Sequence, residues 1–298
     1  MSNTQLNPAD VDRLVIEAYT SGWQIYTPKY QFIFTDRDPE RMDEKISVSA
    51  SGGDIPQTAQ GASFPQVNVA EVGQKTFTQV EYKEAIPVTR LLQRFDNYGV
   101  VMEEASKQGY RARLTMDRVG ANILNNSFSG GSSTVWDGLP IYDAFHQVGQ
   151  TGTTQSNVSS GPLGDVELNT LSTQLRRQLD QNGQDMALLL RLLVVPPELD
   201  KKASELCDSV GSPESANRNA NYWNTRGLKY LCWELLSSTT AHFLFSDKLF
   251  NRFRYFVSIP PTIEYVRIPS NGNYEYQLQF DMTAGSGDYL GTVASPGT

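Results

Sequence analysis

Residues 188–210 read LLLRLLVVPPELDKKASELCDSV, and the rest of the chain is most easily placed around them. An apolar run extends from Leu188 to Val195, interrupted only by Arg191. Val194 and Val195 are β-branched and favour an extended backbone. Pro196 and Pro197 follow, and a residue before proline is pushed out of the helical region, so Val195 and Pro196 are both expected to be extended. Pro197 fits a first helical turn, where its missing donor is not needed. Glu198 and Asp200 then lie where a helix dipole favours acids. Leu199, Ala203, Leu206, Cys207 and Val210 recur at helical spacing. The stretch predicts a buried strand, a rigid corner and an amphipathic helix of about three turns. Taken alone, it would equally suit the core of an enzyme.

The chain has 298 residues, enough for a sizeable core and two or three domains. Its 25 Lys and Arg against 33 Asp and Glu leave a net charge of −8, which argues against wrapping a nucleic-acid backbone by bulk charge. Met1–Pro8 is polar and does not read as a signal peptide, and no segment reaches 18 apolar residues, so no membrane partner is expected.

Upstream, NPADVDRLVIEAY (7–19) reads as a short helix with Asn7 as cap and an apolar stripe of Val11, Leu14, Val15 and Ala18. Its position suggests an arm docking on another molecule, with docking on its own chain equally allowed. YQFIFTDR (30–37) resembles a strand. Residues 40–85 read as a two-stranded ribbon, polar on both faces in places, with Ile46–Val48 as one pairing segment and KTFTQVEYKEAIPVT as the other. A lone ribbon is barely stable in water, so another subunit is expected to steady it; an ordinary surface loop plus an edge strand is the alternative. A short helix is expected near 88–95 and a long one near 99–125. Gly99, Gly109 and Gly120 each weaken the long helix by about 1 kcal/mol, with a bend at Gly109. Its expected stripe is Val101, Ala105, Tyr110, Leu114, Val119 and Leu124.

Residues 128–164 are rich in Gly, Ser and Thr, and the segment GQTGTTQSNVSSGPLG is expected at the surface. Leu168, Leu171, Leu175 and Leu179 mark a helix ended by Asn182–Gly183. After a polar excursion over 211–227, LKYLCWELL suits strand or helix, and the carboxy-terminal region reads as strands around a turn at Asn271–Gly272. Tyr274, Tyr276, Leu278 and Phe280 share one face there, and such late strands can return to a sheet begun earlier.

No chemistry-bearing motif emerges. His146 and His242, the two histidines, lie in no ligand pattern. Cys207 and Cys232 read as buried free thiols; a Cys–His pair with His242 is a remote alternative. Glu103 and Glu104 are adjacent on a helix and point apart. Asp10, Asp12, Asp36 and Asp38 form no cation loop. SGGSS (129–133) lacks the strand before and lysine after that phosphate binding requires. No catalytic, cofactor-binding or metal site is expected.

The order of elements resembles the major capsid proteins of tailed bacteriophages, the HK97-like fold, and within them the head-subunit group related to phage Mu. The resemblance is carried by QLRRQLDQNGQDMALLLRLLVVPPELDKKASELC (174–207), where Asp180, Gly183, Leu193–Pro197, Leu199 and Ala203 match a helix, a D-x-x-G turn and an LVVPP-x-L-x-x-A unit. WDGLPIYDAFHQ (136–147), AHFLFSDK (241–248, with His242 where tryptophan is frequent) and GDYLGTVAS (287–295) add to it. It covers most of residues 60–294 and contains no catalytic signature.

The resemblance implies an α+β fold with an N-terminal arm (1–35), an extended β-hairpin E-loop (36–85) and a peripheral domain with a long spine helix (86–160). An axial domain (161–252) and strands returning to the peripheral domain with a C-terminal segment (253–298) complete it. It implies a non-enzymatic head protein that self-assembles as hexamers and pentamers into an icosahedral shell. The shell would enclose double-stranded DNA without sequence-specific binding. Expected partners are a separate scaffolding protein, the portal and a decoration protein; the expected location is the virion, after assembly in the host cytoplasm. Lys45, Lys75 and Lys83 fall in the loop region, but no motif selects one for a crosslink. The alternatives are an encapsulin-like cellular compartment shell and a soluble enzyme or binding protein. Deleting residues 45–80 should leave subunits that fold but assemble poorly; normal shells from the truncated chain, seen by negative stain, would count against the ribbon's role.

Overall fold

The computed structural model describes residues 8–50, 55, 57–66, 69–89, 98–149, 151–211, 220–268 and 273–297. In chain order the elements begin with α1 (Pro8–Ile25), β1 (Thr35–Arg37), β2 (Asp43–Ala50), β3 (Ala70–Thr78) and β4 (Val80–Val88). Next come α2 (Tyr98–Asn125), β5 (His146–Gln147), β6 (Thr154–Gln155), α3 (Asp165–Arg176), β7 (Leu192–Val195) and α4 (Asp200–Cys207). The chain then forms α5 (Tyr222–Thr225), β8 (Lys229–Cys232), β9 (His242–Phe245), β10 (Phe253–Arg267), β11 (Tyr274–Ser286) and β12 (Thr292–Ser295). Asn7, most of the helix expected at 88–95 and the turn at Asn271–Gly272 lie outside the described residues; Val88 itself closes β4.

One core lies between α1, α2 and a sheet in the order β1–β10–β11–β4. Alternation on β11 places Tyr276, Leu278, Phe280 and Met282 inward, and β4 and β10 flank it antiparallel. The late strands therefore complete a sheet begun with β4. Helix α1 runs six residues beyond the expected end, through Thr20, Ser21 and Gly22, because it packs along α2 of its own chain. The crossing is close. A side chain at Gly109 would place its first carbon 2.2 Å from the Tyr19 carbonyl oxygen, and one at Gly22 would lie 1.8 Å from that of Ser106. Gly109, read from sequence as a place to bend, is where the two helices meet. The buried face of α2 accordingly includes Ala105, Gln108, Gly109, Ala112, Met116, Asp117 and Gly120, whereas Tyr110 stays partly exposed.

A second core joins α3 and α4 to the sheet β12–β9–β7–β8. Here the strand–corner–helix reading of 188–210 holds in outline. Leu193, Val194 and Val195 are fully buried on β7, Pro197–Leu199 forms a single 3-10 turn, and α4 follows for eight residues. The helix is thus shorter than the three turns expected, and the strand begins at Leu192 rather than Leu188. Helix α3 ends at Arg176, well before Asn182–Gly183. Those residues make a separate turn in which the Asp180 carboxylate accepts from the backbone N–H groups of Asn182 (2.8 Å) and Gln184 (2.9 Å). LKYLC resolves as strand, with β8 parallel to β7.

The buried Asp117 carboxylate on α2 ties the two halves together. It accepts from the Tyr26 hydroxyl (2.5 Å), the backbone N–H groups of Lys29 (2.7 Å) and Tyr30 (2.8 Å), and the indole N–H of Trp233 (2.9 Å). Lys29 extends the tie: its ammonium donates to the Cys232 carbonyl (2.6 Å) and to Glu234. Removing a buried carboxylate orphans its donors, each at a cost of about 1–3 kcal/mol. Asp117→Ala should therefore lower the urea unfolding free energy by about 4 kcal/mol or more, and Tyr26→Phe by about 1 kcal/mol. An Asp117→Ala loss no larger than that of Tyr26→Phe would contradict the assignment.

Candidate assembly surfaces

The residues with chemical potential do not converge on a reaction centre. His146 Nδ1 lies 2.8 Å from Asp137 Oδ2, with both side chains wholly buried, and the ring stacks on Tyr289 at 4.1 Å. Burial pushes the Asp137 carboxyl up, but the hydrogen bond and charge of His146, with the N–H groups of Leu139 and Gln147, hold it below its usual range. His242 is buried on β9, its Nδ1 3.3 Å from the Thr240 carbonyl, and burial lowers its pKa. Burial pushes the Cys207 thiol up to about 12, that of an inert core cysteine. Glu103 pairs with Lys107 at 2.7 Å and Glu104 with Arg111 at 2.9 Å. Asp12 accepts from the Tyr276 hydroxyl at 2.7 Å, and Asp36 is raised by burial against the pull of Lys248. No group of three metal-ligating side chains occurs among the described residues.

What the structure does assemble is the root of a projecting ribbon. Strands β2 and β3 pair antiparallel from Asp43↔Thr78 to Ala50↔Ala70, with an irregularity at Val48/Ser49. The ribbon was expected to need another subunit, yet its root is gripped by its own chain. Phe77 is buried against Phe256, with ring centroids 5.6 Å apart. Its ring occupies the space above Gly285, where an added carbon would meet it at 2.3 Å. Ile46 covers Gly287 in the same way (2.7 Å), and the Trp136 ring covers Gly73 (2.6 Å). Lys75 Nζ donates to Thr134 Oγ1 at 2.6 Å, and burial lowers its pKa. Lys45 is exposed on β2, while Lys83 pairs with Glu81 at 2.5 Å.

Behind this grip lies a buried polar cluster. Asp288 accepts from the Trp136 indole (3.1 Å), the Tyr289 N–H (2.8 Å) and Gln181 Nε2 (3.2 Å). The Tyr289 hydroxyl donates to the Gln147 carbonyl (2.6 Å) and accepts from Gln155 Nε2 (2.9 Å). Within the stretch 128–164, Ser133, Val135, Ile141, Tyr142, His146, Val148 and Asn157 are buried, whereas the described residues of the segment 149–164, expected at the surface, are mostly exposed or half-buried. Side-chain amides, a histidine and tyrosines supply the bonds that regular strands would otherwise make. Trp136 meets Asp288 and His146 meets Tyr289 across distant segments, contacts that no local pattern encodes.

Described residues of the stretch that joins β2 to β3 are bare. Ile55 and Phe64 are each 96% exposed, and Met42, Val69 and Val80 are exposed beside it. A second surface lies at the β1 edge. Phe32, Leu249 and Phe250 are exposed there, while Lys248 Nζ donates to the carbonyls of Gln31 and Phe34. Arg254 is almost buried nearby and donates to the carbonyls of Asn251 (3.3 Å) and Phe253 (2.9 Å). Burial, with Arg37 and Arg252 adding like charge, pushes its pKa down to about 10.

Two sheets, two hydrophobic clusters to both of which the second sheet contributes, a long helix and a two-stranded ribbon make the architecture of a capsid-type shell subunit. The same architecture is found in the procapsid of bacteriophage JBD30, at a TM-score of 0.52 and 12% identity over 97% of this chain and 76% of that one. The decorated JBD30 capsid superposes at 0.57 and 14% identity over 72% and 93% of the two chains. The virus-like particle from Pyrococcus furiosus gives 0.52 and 10% over 95% and 98%. At such identities the likeness is one of fold. The phage capsid protein family profile matches residues 72–295. The chain belongs to this family of HK97-fold capsid proteins, which points to a structural rather than an enzymatic protein. No protein of curated function matches it in sequence.

Trp136 covers Gly73 of the ribbon, packs against the first core and bonds Asp288, so its removal tests the grip. Trp136→Ala should speed amide exchange across 43–50 and 70–78 by about tenfold or more, equivalent to about 1–3 kcal/mol of lost anchoring, while β10 and β11 keep their protection. Unchanged exchange in the ribbon would show that Trp136 does not hold it.

Proposed function

We propose that this chain is the major capsid (head) subunit of a tailed phage, grouping with the phage Mu-like head subunits. In this reading, hexamers and pentamers of the chain close an icosahedral shell around double-stranded DNA. The observation that carries the reading is the family match over residues 72–295, joined to a ribbon whose outer residues Ile55 and Phe64 have no cover in the single chain. Exposed apolar side chains at the end of a projecting element are suited to burial against a neighbour. Closed symmetry then limits growth.

Residues 1–35 serve as the N-terminal arm, its helix held on α2, and residues 36–85 as the E-loop, whose ribbon is β2–β3. Residues 86–160 make the peripheral domain with α2 as spine, and 161–252 the axial domain around the second core. Within 253–298, β10 and β11 return to the peripheral sheet and β12 to the axial one. This division is supported by the two hydrophobic clusters and by the sheet order β1–β10–β11–β4. A separate scaffold, the portal and a decoration protein are the partners of this reading, and the virion, assembled in the host cytoplasm, its location. The net charge of −8 suits an inner wall that does not adsorb packaged DNA. No helix among the described residues is long and apolar enough to cross a membrane.

A cellular compartment shell is the second reading. It is favoured by the fold likeness to the Pyrococcus furiosus virus-like particle, which extends over nearly the whole of both chains. Light scattering with negative-stain imaging of the purified protein tests shell formation. Megadalton closed particles, or rings of five and six, are expected. A strict monomer even with scaffold supplied would overturn the proposal, and closed particles filled with protein cargo would select the second reading.

A further inference from the structure

A cleft on the axial side carries an unbalanced charge. It is bounded by Ser172 and Arg176 of α3, Leu189–Arg191 before β7, and Trp223, Arg226 and Leu228 around α5. Three guanidinium groups thus line a cavity of about 140 Å³. Among the described residues none of the three forms an ion pair, although the chain has 33 acidic side chains to spend. The carboxylate tied to a cleft residue is Asp165, and its Oδ1 accepts the Trp223 indole N–H at 2.6 Å.

Two of the guanidinium groups are tied to Tyr222, and the third extends from an ordered backbone. Arg176 Nη2 donates to the Tyr222 hydroxyl at 3.3 Å, and the Arg226 guanidinium lies over the Tyr222 ring at 5.1 Å. The Arg191 backbone is bonded on both sides, donating to the Phe245 carbonyl (3.0 Å) and accepting from the Lys229 N–H (3.1 Å). Arg176 Nε is buried and has no acceptor. A buried donor without a partner costs free energy, and like charges in one cleft repel. Both costs are removed by one oxyanion, whose oxygens match the guanidinium fork. Leu189, Leu190, Leu228 and Trp223 form apolar walls that strengthen such a contact. The cavity is smaller than those that enclose whole metabolites, about 300 Å³ and upward, so the ligand is a single carboxylate- or phosphate-sized group.

We propose that the cleft between Arg176, Arg191 and Arg226 binds an oxyanion, presented either as a side-chain carboxylate of a second copy of this chain or as free phosphate. Arg191 and Arg226 are exposed, so Arg191→Gln and Arg226→Gln leave the packing intact; unchanged thermal midpoints check this.

Calorimetric titration of the unassembled chain with inorganic phosphate is the first arm. The parent should bind, each variant should bind at least tenfold more weakly, and sodium chloride at equal ionic strength should not substitute. The second arm measures the concentration needed for assembly in phosphate-free buffer. If the source is a neighbour's carboxylate, the variants raise it at least tenfold and phosphate inhibits the parent. If the source is free phosphate, the variants assemble as the parent does without phosphate, and added phosphate changes the parent alone. Either pattern supports the site. A parent that does not take up phosphate, or variants that bind it equally well, overturns it whether or not shells form.

Discussion

A carboxylate removed from water must have its lone pairs filled, and Asp117 has them filled by four donors that lie off its own helix. Two are backbone N–H groups at Lys29 and Tyr30, in the stretch between α1 and β1. One is the Tyr26 hydroxyl at the end of α1, and one is the Trp233 indole just beyond β8. The side chain thereby sets how the chain leaves α1, where β1 can meet β10, and how the second sheet sits against α2. Lys29, which donates to Asp117 through its backbone, sends its ammonium to Cys232 and Glu234 and repeats the tie from the other direction.

Close backbone approach is the second constraint. Gly22 and Gly109 let α1 and α2 meet at separations that any side chain would block. Gly73, Gly285 and Gly287 do the same for the ribbon, each lying under Trp136, Phe77 or Ile46. Glycine is costly within helices and strands. These positions return that cost as packing area for large apolar side chains. The result is a rigid root from which a long polar ribbon can project without a core of its own.

These constraints fit the family to which the chain belongs. Its Asp137–His146 pair and Asp288 cluster are internal bonds, and Cys207 is buried. The features left facing outward are apolar ribbon residues, the Phe32–Leu249–Phe250 edge and arginines without acids.

The sequence by itself determined the local elements. Apolar runs and β-branching marked β7, Pro196–Pro197 marked the corner, alternation marked β11 and the ribbon, and leucine spacing marked α3. Those signals are short-range and survive in any context. The capsid resemblance of residues 174–207 was legible for the same reason. Tertiary structure alone decided the rest. The length of α1 depended on α2 lying beneath Gly22, and the stripe of α2 holds at Val101, Ala105 and Leu124 but not at Tyr110, because close approach at Gly109 and the hydrogen-bonded Asp117 also claim buried positions. The surface reading of 149–164 holds in outline, with Asn157 buried there through its hydrogen bonds to Ile141 and Asp143. The grip on Gly73, Gly285 and Gly287 and the meeting of Arg176, Arg191 and Arg226 join segments far apart in the chain, and close packing and charge act through space between residues whose separation no sequence pattern records.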